Sequence, residues 1–270
     1  MQVSPTPDFL TIDENLRSAM QFFGRASGAG TIEEVDGGIA IYSGLDYGVF
    51  NIALVNRPVA DGELEKRLSA FGRFFRQRTL RWSVWLCEDM LDSAVRRRER
   101  QIFATYGMRP ISHPPGMLAP SLKPPEHVLP EIEMRPVRDK VTRAAFAEIT
   151  SLTFEIPYTI AHAVYSREAA WGNSCEQGDY QGFVGFVGGR AVAIVAIVAA
   201  GGVIGVYSLG TMPEHRRKGY AEALLRKAVD EVSRRTGFER VILQSTEAGY
   251  DLYKRIGFRD ATKFTVYLTK

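Results

Sequence analysis

The sequence predicts an α/β (α+β) chain in two parts: a mixed, mostly antiparallel sheet flanked by helices over residues 131–270, preceded by a second α/β domain over residues 1–130. Three observations lead there. Seven of the 13 prolines crowd into residues 110–130, where fixed φ angles and missing N–H groups argue against a continuous helix or a central strand, so a linker is expected to end near Pro130. Residues 183–209 form apolar stretches of strand length, punctuated by Gly188-Gly189 and Gly201-Gly202, the pattern of an antiparallel meander. From Gly219 the apolar period becomes helical, and a short apolar stretch follows at 241–243, so strand, helix and strand make a crossover with parallel strands.

In the first part, residues 39–42 and 49–55 are strand-like and are joined by the turn-prone Gly44-Leu45-Asp46. Leu64, Leu68, Phe71 and Phe75 stand at helical spacing and predict a helix over 62–76; residues 81–86 are another strand, and a second helix covers 91–106. After the prolines, 132–136 is a short strand, and Val141, Ala145, Ile149 and Leu152 recur as one face of a helix. A further helix is expected over 158–171, beyond the break at Pro157. Strands at 183–187, 190–199 and 203–209 build the meander. The helix from Gly219 puts Ala221, Leu224, Leu225, Ala228 and Val232 on one face and Glu222, Arg226, Asp230 and Arg234 on the other, and it ends by Gly237.

Composition narrows the function classes. A 45% hydrophobic chain of 270 residues has enough apolar side chains for real cores, which excludes a disordered protein. A net charge of +3 suits a phosphorylated small ligand and is too weak to argue for nucleic acid. Cys87 and Cys175 lie far apart, and the four histidines do not join them in any ligand pattern, so neither a disulfide nor a metal is expected. Residues 1–16 lack a basic start followed by an apolar stretch, and the longest apolar stretch, 191–206, is interrupted by two glycines and short of the ~20 residues that cross a bilayer. A cytoplasmic protein with no membrane partner is the expectation.

The chemistry is concentrated in Pro213-Glu214-His215-Arg216-Arg217-Lys218-Gly219-Tyr220-Ala221, where a strand runs straight into an amphipathic helix. Unpaired first-turn N–H groups and the positive end of the helix dipole form an anion cradle; Gly219 allows close approach and Ala221 keeps the space clear. A basic solvated turn at the start of an ordinary helix would look the same from Gly and Arg alone.

Arg216-x-x-Gly219-x-Ala221 resembles the Q/R-x-x-G-x-G/A pyrophosphate signature of the GNAT acyltransferases, and Tyr253-Lys254-Arg255-Ile256-Gly257-Phe258 resembles that family's Y-x-x-x-G-F, in the right order after the 241–243 strand. The resemblance spans 131–270 and implies a GNAT fold with acetyl-CoA as co-substrate. It implies that Thr211, Met212 and Pro213 end a splayed strand whose backbone pairs with pantetheine, one N–H polarising the thioester carbonyl. The cradle would comprise Arg216, Arg217, Lys218, Gly219, Tyr220, Ala221 and Glu222, with the amides of Arg217, Gly219, Ala221 and Glu222 on the pyrophosphate. Tyr253 occupies the position of the acid that protonates departing thiolate, or else packs against CoA by its ring alone. The sequence departs from the family at Thr246, where asparagine is common, and at Gly249, where alanine is usual; Ser245 or Thr246 still offers a hydroxyl.

Strand 203–209 holds only Tyr207 and Ser208 as polar residues, whereas many relatives of this kind place a glutamate there. Glu155, between the first two helices of the second part, is the candidate base, with a solvent-exposed helix end as the plainer reading of it and of Tyr158; His162 is read as a helix-face residue. In the first part, Tyr106-Gly107-Met108 echoes Ile256-Gly257-Phe258, which suggests a degenerate GNAT-like repeat; an unrelated α+β cap is the alternative. The run Arg96-Arg97-Arg98-Glu99-Arg100 is read as a solvated helix face, a rim for an acidic substrate being the alternative. The expected function is transfer of an acetyl group from acetyl-CoA to an amine acceptor, the rival being a non-catalytic acyl-CoA-binding protein on the same fold. A homodimer stays open.

Overall fold

The computed structural model describes residues 6–78, 81–171 and 178–270. In chain order the first half contains α1 (Asp8–Ala26), β1 (Thr31–Val35), β2 (Gly38–Tyr42), β3 (Ile52–Val55), α2 (Glu63–Arg76), β4 (Ser83–Cys87), α3 (Ser93–Thr105), β5 (Met108–Ser112) and β6 (Pro115–Ala119). The second contains β7 (Glu133–Pro136), α4 (Lys140–Phe154), α5 (Tyr158–Tyr165), β8 (Gln181–Val187), β9 (Arg190–Ala200), β10 (Val203–Thr211), α6 (Tyr220–Thr236), β11 (Val241–Gln244), α7 (Glu247–Arg255) and β12 (Arg259–Thr269).

The expected meander is present: β8, β9 and β10 pair antiparallel. α6 crosses from β10 to β11, which pair parallel from Ile204↔Val241 to Val206↔Leu243. The first half repeats this order, with β1, β2 and β3 antiparallel and α2 crossing to β4 in a second parallel pair. Sheet strands run β1-β2-β3-β4-β12-β6-β11-β10-β9-β8-β7, with β5 also on β12.

Two strands change sides. β6 leaves the first half and lies between β11 and the beginning of β12. The end of β12 leaves the second half and lies between β4 and β5. Each half therefore receives the strand that completes its sheet from the other.

The proline-rich stretch is thus not a featureless linker, and the expectation of no strand there is corrected. Pro115 is the first residue of β6, where its missing N–H costs no interior ladder bond, and Gly116 to Ala119 are free of proline. Pro110 sits in β5, which has β12 as a neighbour and is exposed after Met108. Helix α1 was not expected at all. Its Ile12, Leu16, Ala19, Phe22, Phe23 and Ala26 form a buried helical stripe, yet Asp13 and Asn15 are buried beside them. The helix expected over 158–171 stops at Tyr165 and is followed by a 3₁₀ turn, Glu168–Trp171. On α4 the face expected to be inside is partly outside: Val141 and Leu152 are exposed, and Phe146, Ala147 and Ile149 carry the burial.

The sheet separates two cores. α6 and α7 cover one face through Leu224, Leu225, Ala228, Val232, Tyr253 and Ile256 against Ile204, Val206, Val241 and Leu243. α1, α4 and α5 cover the other, against Val203, Ile242 and Leu118. Leu225 is fully buried, so Leu225→Ala would cost about 2–5 kcal/mol. Cys87 is buried and free; Cys175 lies outside the described residues. Among the described residues no helix is long and apolar enough to cross a membrane, and no group of His, Cys, Asp and Glu is arranged to hold a metal.

Candidate functional site

Strand β10 is bent where its register with β9 shifts between Tyr207 and Gly210, and Ser208 there has a left-handed φ of 47°. Its parallel pairing with β11 ends at Val206↔Leu243, while the strand continues to Thr211. Beyond that point the two strands part and leave a wedge. Met212 donates its N–H to Val192 O at 2.9 Å, so backbone alternation turns the N–H and C=O of Thr211 towards the open edge. Thr211 O there accepts from Arg216 Nε at 3.2 Å.

The wedge opens onto the first turn of α6. Gly219, at φ 83°, and Arg217, at φ 58°, wind the chain into the helix, and the first-turn N–H groups have no intrahelical acceptor. The carboxylate of Glu222 is buried and tied back by Arg226 at 2.8 Å and Arg255 at 3.6 Å, so it does not compete for those donors. The opposite wall is the start of α7. A Cβ on Gly249 would lie 2.7 Å from Tyr253 Cε2, so this glycine makes room for the tyrosine ring one turn later. Tyr253 is buried, packs edge-on to Phe258 and makes no hydrogen bond among the described residues; burial pushes its phenol well above the ordinary tyrosine range.

Together these elements enclose a cleft of about 940 Å³. Of the residues expected at the site, Glu155, Thr211, Arg216, Arg217, Gly219, Tyr220, Ala221, Glu222, Thr246, Gly249 and Tyr253 line it. Met212, Pro213, Lys218 and Ser245 do not. The N–H of Met212 is spent in the ladder and Pro213 has none, so the donor expected near them falls to Thr211. Lys218 Nζ turns to Glu214 O at 2.8 Å, and the buried Ser245 hydroxyl donates to Thr246 O at 2.7 Å, leaving Thr246 as the hydroxyl that faces the cleft. Glu155 closes α4 in a left-handed conformation and is exposed at the lip. Tyr207 donates to Asn15 Oδ1 at 2.7 Å and Ser208 pairs with Tyr180 at 2.7 Å, so both polar groups of the bend are engaged.

Nine lining residues were missed, of which four are polar or charged: His127, Thr153, His215 and Arg255. His215 stands inside the motif and was within reach. Thr153 is placed by tertiary packing over Gly210 and carried no local signal; its hydroxyl is buried without a partner.

The equivalent place in the first half is filled. Val59 donates to Met90 O at 2.7 Å and accepts from Asp92 N at 3.0 Å, which closes the gap beyond β3 and β4. The turn before α2 has its own Gly62 at φ 74°, but Glu63 takes the Ala60 N–H at 3.1 Å, and Arg67 occupies the carbonyls of Arg57 and Pro58 at 2.8 and 2.9 Å.

A parted strand pair leading to a bare helix N-terminus, on a mixed sheet of this order, agrees with the fold that the sequence resemblance implies. Residues 143–258 match the acetyltransferase (GNAT) family, and this part of the chain is a GNAT acetyltransferase domain. Solved structures with the same fold include a GCN5-related N-acetyltransferase from Kribbella flavida, 19% identical, covering 95% of both chains at a TM-score of 0.67. Another from Sphaerobacter thermophilus is 15% identical and covers 98% of this chain and 94% of its own at 0.55. A conserved protein of unknown function from Staphylococcus epidermidis is 13% identical and covers 88% and 92% at 0.58. At such identities the likeness shows the fold, over nearly the whole chain. No curated protein matches the sequence.

Proposed function

We propose that the chain transfers an acetyl group from acetyl-CoA to a primary amine of a small molecule or protein by direct attack. The observation that carries this reading is the wedge between β10 and β11 opening onto the first turn of α6, a shape suited to a thin chain that ends in a pyrophosphate. The amides of Arg217, Gly219, Ala221 and Glu222 would hold the pyrophosphate, with Arg216 and Arg217 supplying charge. Thr211 would pair with pantetheine through its N–H and C=O, and Thr246 would add a hydroxyl.

The amine lone pair adds to the thioester carbon, the C–S bond breaks, and the amine proton leaves through water towards Glu155. Tyr253 meets the departing sulfur. Burial favours the neutral phenol, which would act as a hydrogen-bond donor to the thiolate; with a leaving thiol of pKa ~8.5, the help is modest. We read the first half, residues 1–130, as a GNAT-like repeat that has lost its cradle and now shapes the acceptor side of residues 131–270. The repeated element order supports this reading.

A second reading, acyl-CoA binding without catalysis, is favoured by one observation: the bend of β10 presents no carboxylate, and its polar groups are engaged. Release of CoA from acetyl-CoA across an amine library separates the two. Turnover with any amine supports transfer, whereas tight binding with no release across the library supports the second reading.

A further inference from the structure

We propose that residues 123–130, the segment joining the two halves, form a wall of the acyl-CoA site, with His127 as a phosphate-binding residue. This rests on the acyl-CoA reading above and adds to it a contact that lies outside the matched family region.

The segment is fastened to the helices that bound the cleft. Arg226 Nη1 donates to Lys123 O at 2.6 Å, Lys123 N donates to Ile256 O at 2.9 Å, and Lys227 Nζ donates to Ile132 O at 2.7 Å. It is therefore tied to α6 and to the end of α7, the two helices that bound the site. Between these ties Pro124, Pro125 and Pro130 restrict the backbone, so little chain entropy remains to be lost on binding.

The contact with the cradle is direct. A Cβ built on Gly219 would lie 2.9 Å from Pro130 Cδ and 4.0 Å from His127 Nε2. The His127 imidazole lines the cleft opposite the α6 amides and makes no hydrogen bond among the described residues. It shares that space with Arg216, Arg217 and His215. An unengaged imidazole facing helix N–H groups and guanidinium groups has one chemical complement, an anion between them. Because Gly219 belongs to the turn read above as the pyrophosphate cradle, the proposal places His127 on the pyrophosphate and leaves the ribose 3′-phosphate to the titration below.

The test is calorimetric titration of the full chain with CoA and with dephospho-CoA, on the parent, His127→Ala and His127→Lys, together with turnover on S-acetylpantetheine. Loss of one charge-assisted hydrogen bond corresponds to about a tenfold weaker affinity. The expected result is that His127→Ala weakens CoA and dephospho-CoA alike by about tenfold, leaves S-acetylpantetheine turnover unchanged, and is rescued at least in part by His127→Lys. His127 is exposed, so the unliganded melting temperature should not move. Equal CoA affinity in the parent and His127→Ala overturns the assignment while leaving the acyl-CoA reading intact. Weakening confined to CoA overturns the assignment to the pyrophosphate. A parent chain that does not bind CoA overturns both.

Discussion

Ala221→Glu is the sharpest probe of the cradle. Ala221 lines the cleft in the first turn of α6, where a glutamate suits the helix: it favours the dipole by about 0.3–1 kcal/mol and loses little helix propensity. The unliganded chain should therefore melt at the parent temperature or slightly above. Gly219→Glu would be a poorer choice, because Gly219 has φ 83° and any Cβ there presses on Pro130, so damage to the backbone would be confused with loss of binding. In the liganded chain a carboxylate ~4 Å from a phosphate oxygen, at an effective dielectric near 40, costs about 2 kcal/mol per phosphate charge. Two such charges give about 2–4 kcal/mol, or roughly 30- to 1,000-fold in affinity. With CoA at ~100 times the parent Kd, binding stabilises the parent by about 2.7 kcal/mol, a rise of roughly 5–10 °C. A 100-fold weaker variant gains only about 0.4 kcal/mol at the same concentration, or about 1 °C. A full parent-sized rise in Ala221→Glu would refute the cradle.

Three other outcomes are expected. Tyr253→Phe should lower kcat by about 10- to 100-fold with acetyl-CoA affinity unchanged, and parental turnover would reduce Tyr253 to a packing residue. Calorimetry should count one CoA per chain, since Glu63, Arg67 and Val59 fill the first half's counterpart of the site; two sites would refute that account. Burial raises the Glu99 carboxyl above its ordinary 4.5, Tyr267 donates to one oxygen at 2.9 Å, and the other has no partner. A raised folded pKa means stability that is present in acid and lost as pH rises through it, so Glu99→Gln should melt with the parent below pH 4.5 and above it at neutral pH, and a gap that shrinks with rising pH would contradict this.

What could be foreseen was local. The cradle rests on nine consecutive residues and the helical period that follows them, so Arg216, Gly219 and Ala221 were legible without their neighbours. β6 was hidden because four residues between prolines carry no period of their own; what makes them a strand is β11 and β12, more than a hundred positions away. Helix α1 was hidden by its buried polar groups. Asn15 lies in the stripe that packs inward and donates to Val198 O and Ala200 O at 3.0 Å, satisfying the end of β9, and no composition count reveals such a role. Met212 illustrates a finer limit: which of two adjacent amides faces a cleft depends on ladder phase, and that is set by the bulge at Ser208 and Leu209. His127 belongs with β6, as its importance comes from where the connecting segment is fastened.

The exchanged strands also dictate when the molecule can finish folding. Trp82 N bonds to Thr269 Oγ1 across 187 positions, and the strand between β4 and β5 is made at that distance. At a synthesis rate of about 5–20 residues per second, the first half waits roughly 10–40 s with that slot open. Unpaired strand edges are exposed throughout this interval, which is the condition under which nascent chains associate with one another. The step that closes both sheets therefore comes only after β12 has been synthesised. Slower elongation, which helps chains whose domains fold one at a time, would here lengthen the vulnerable period.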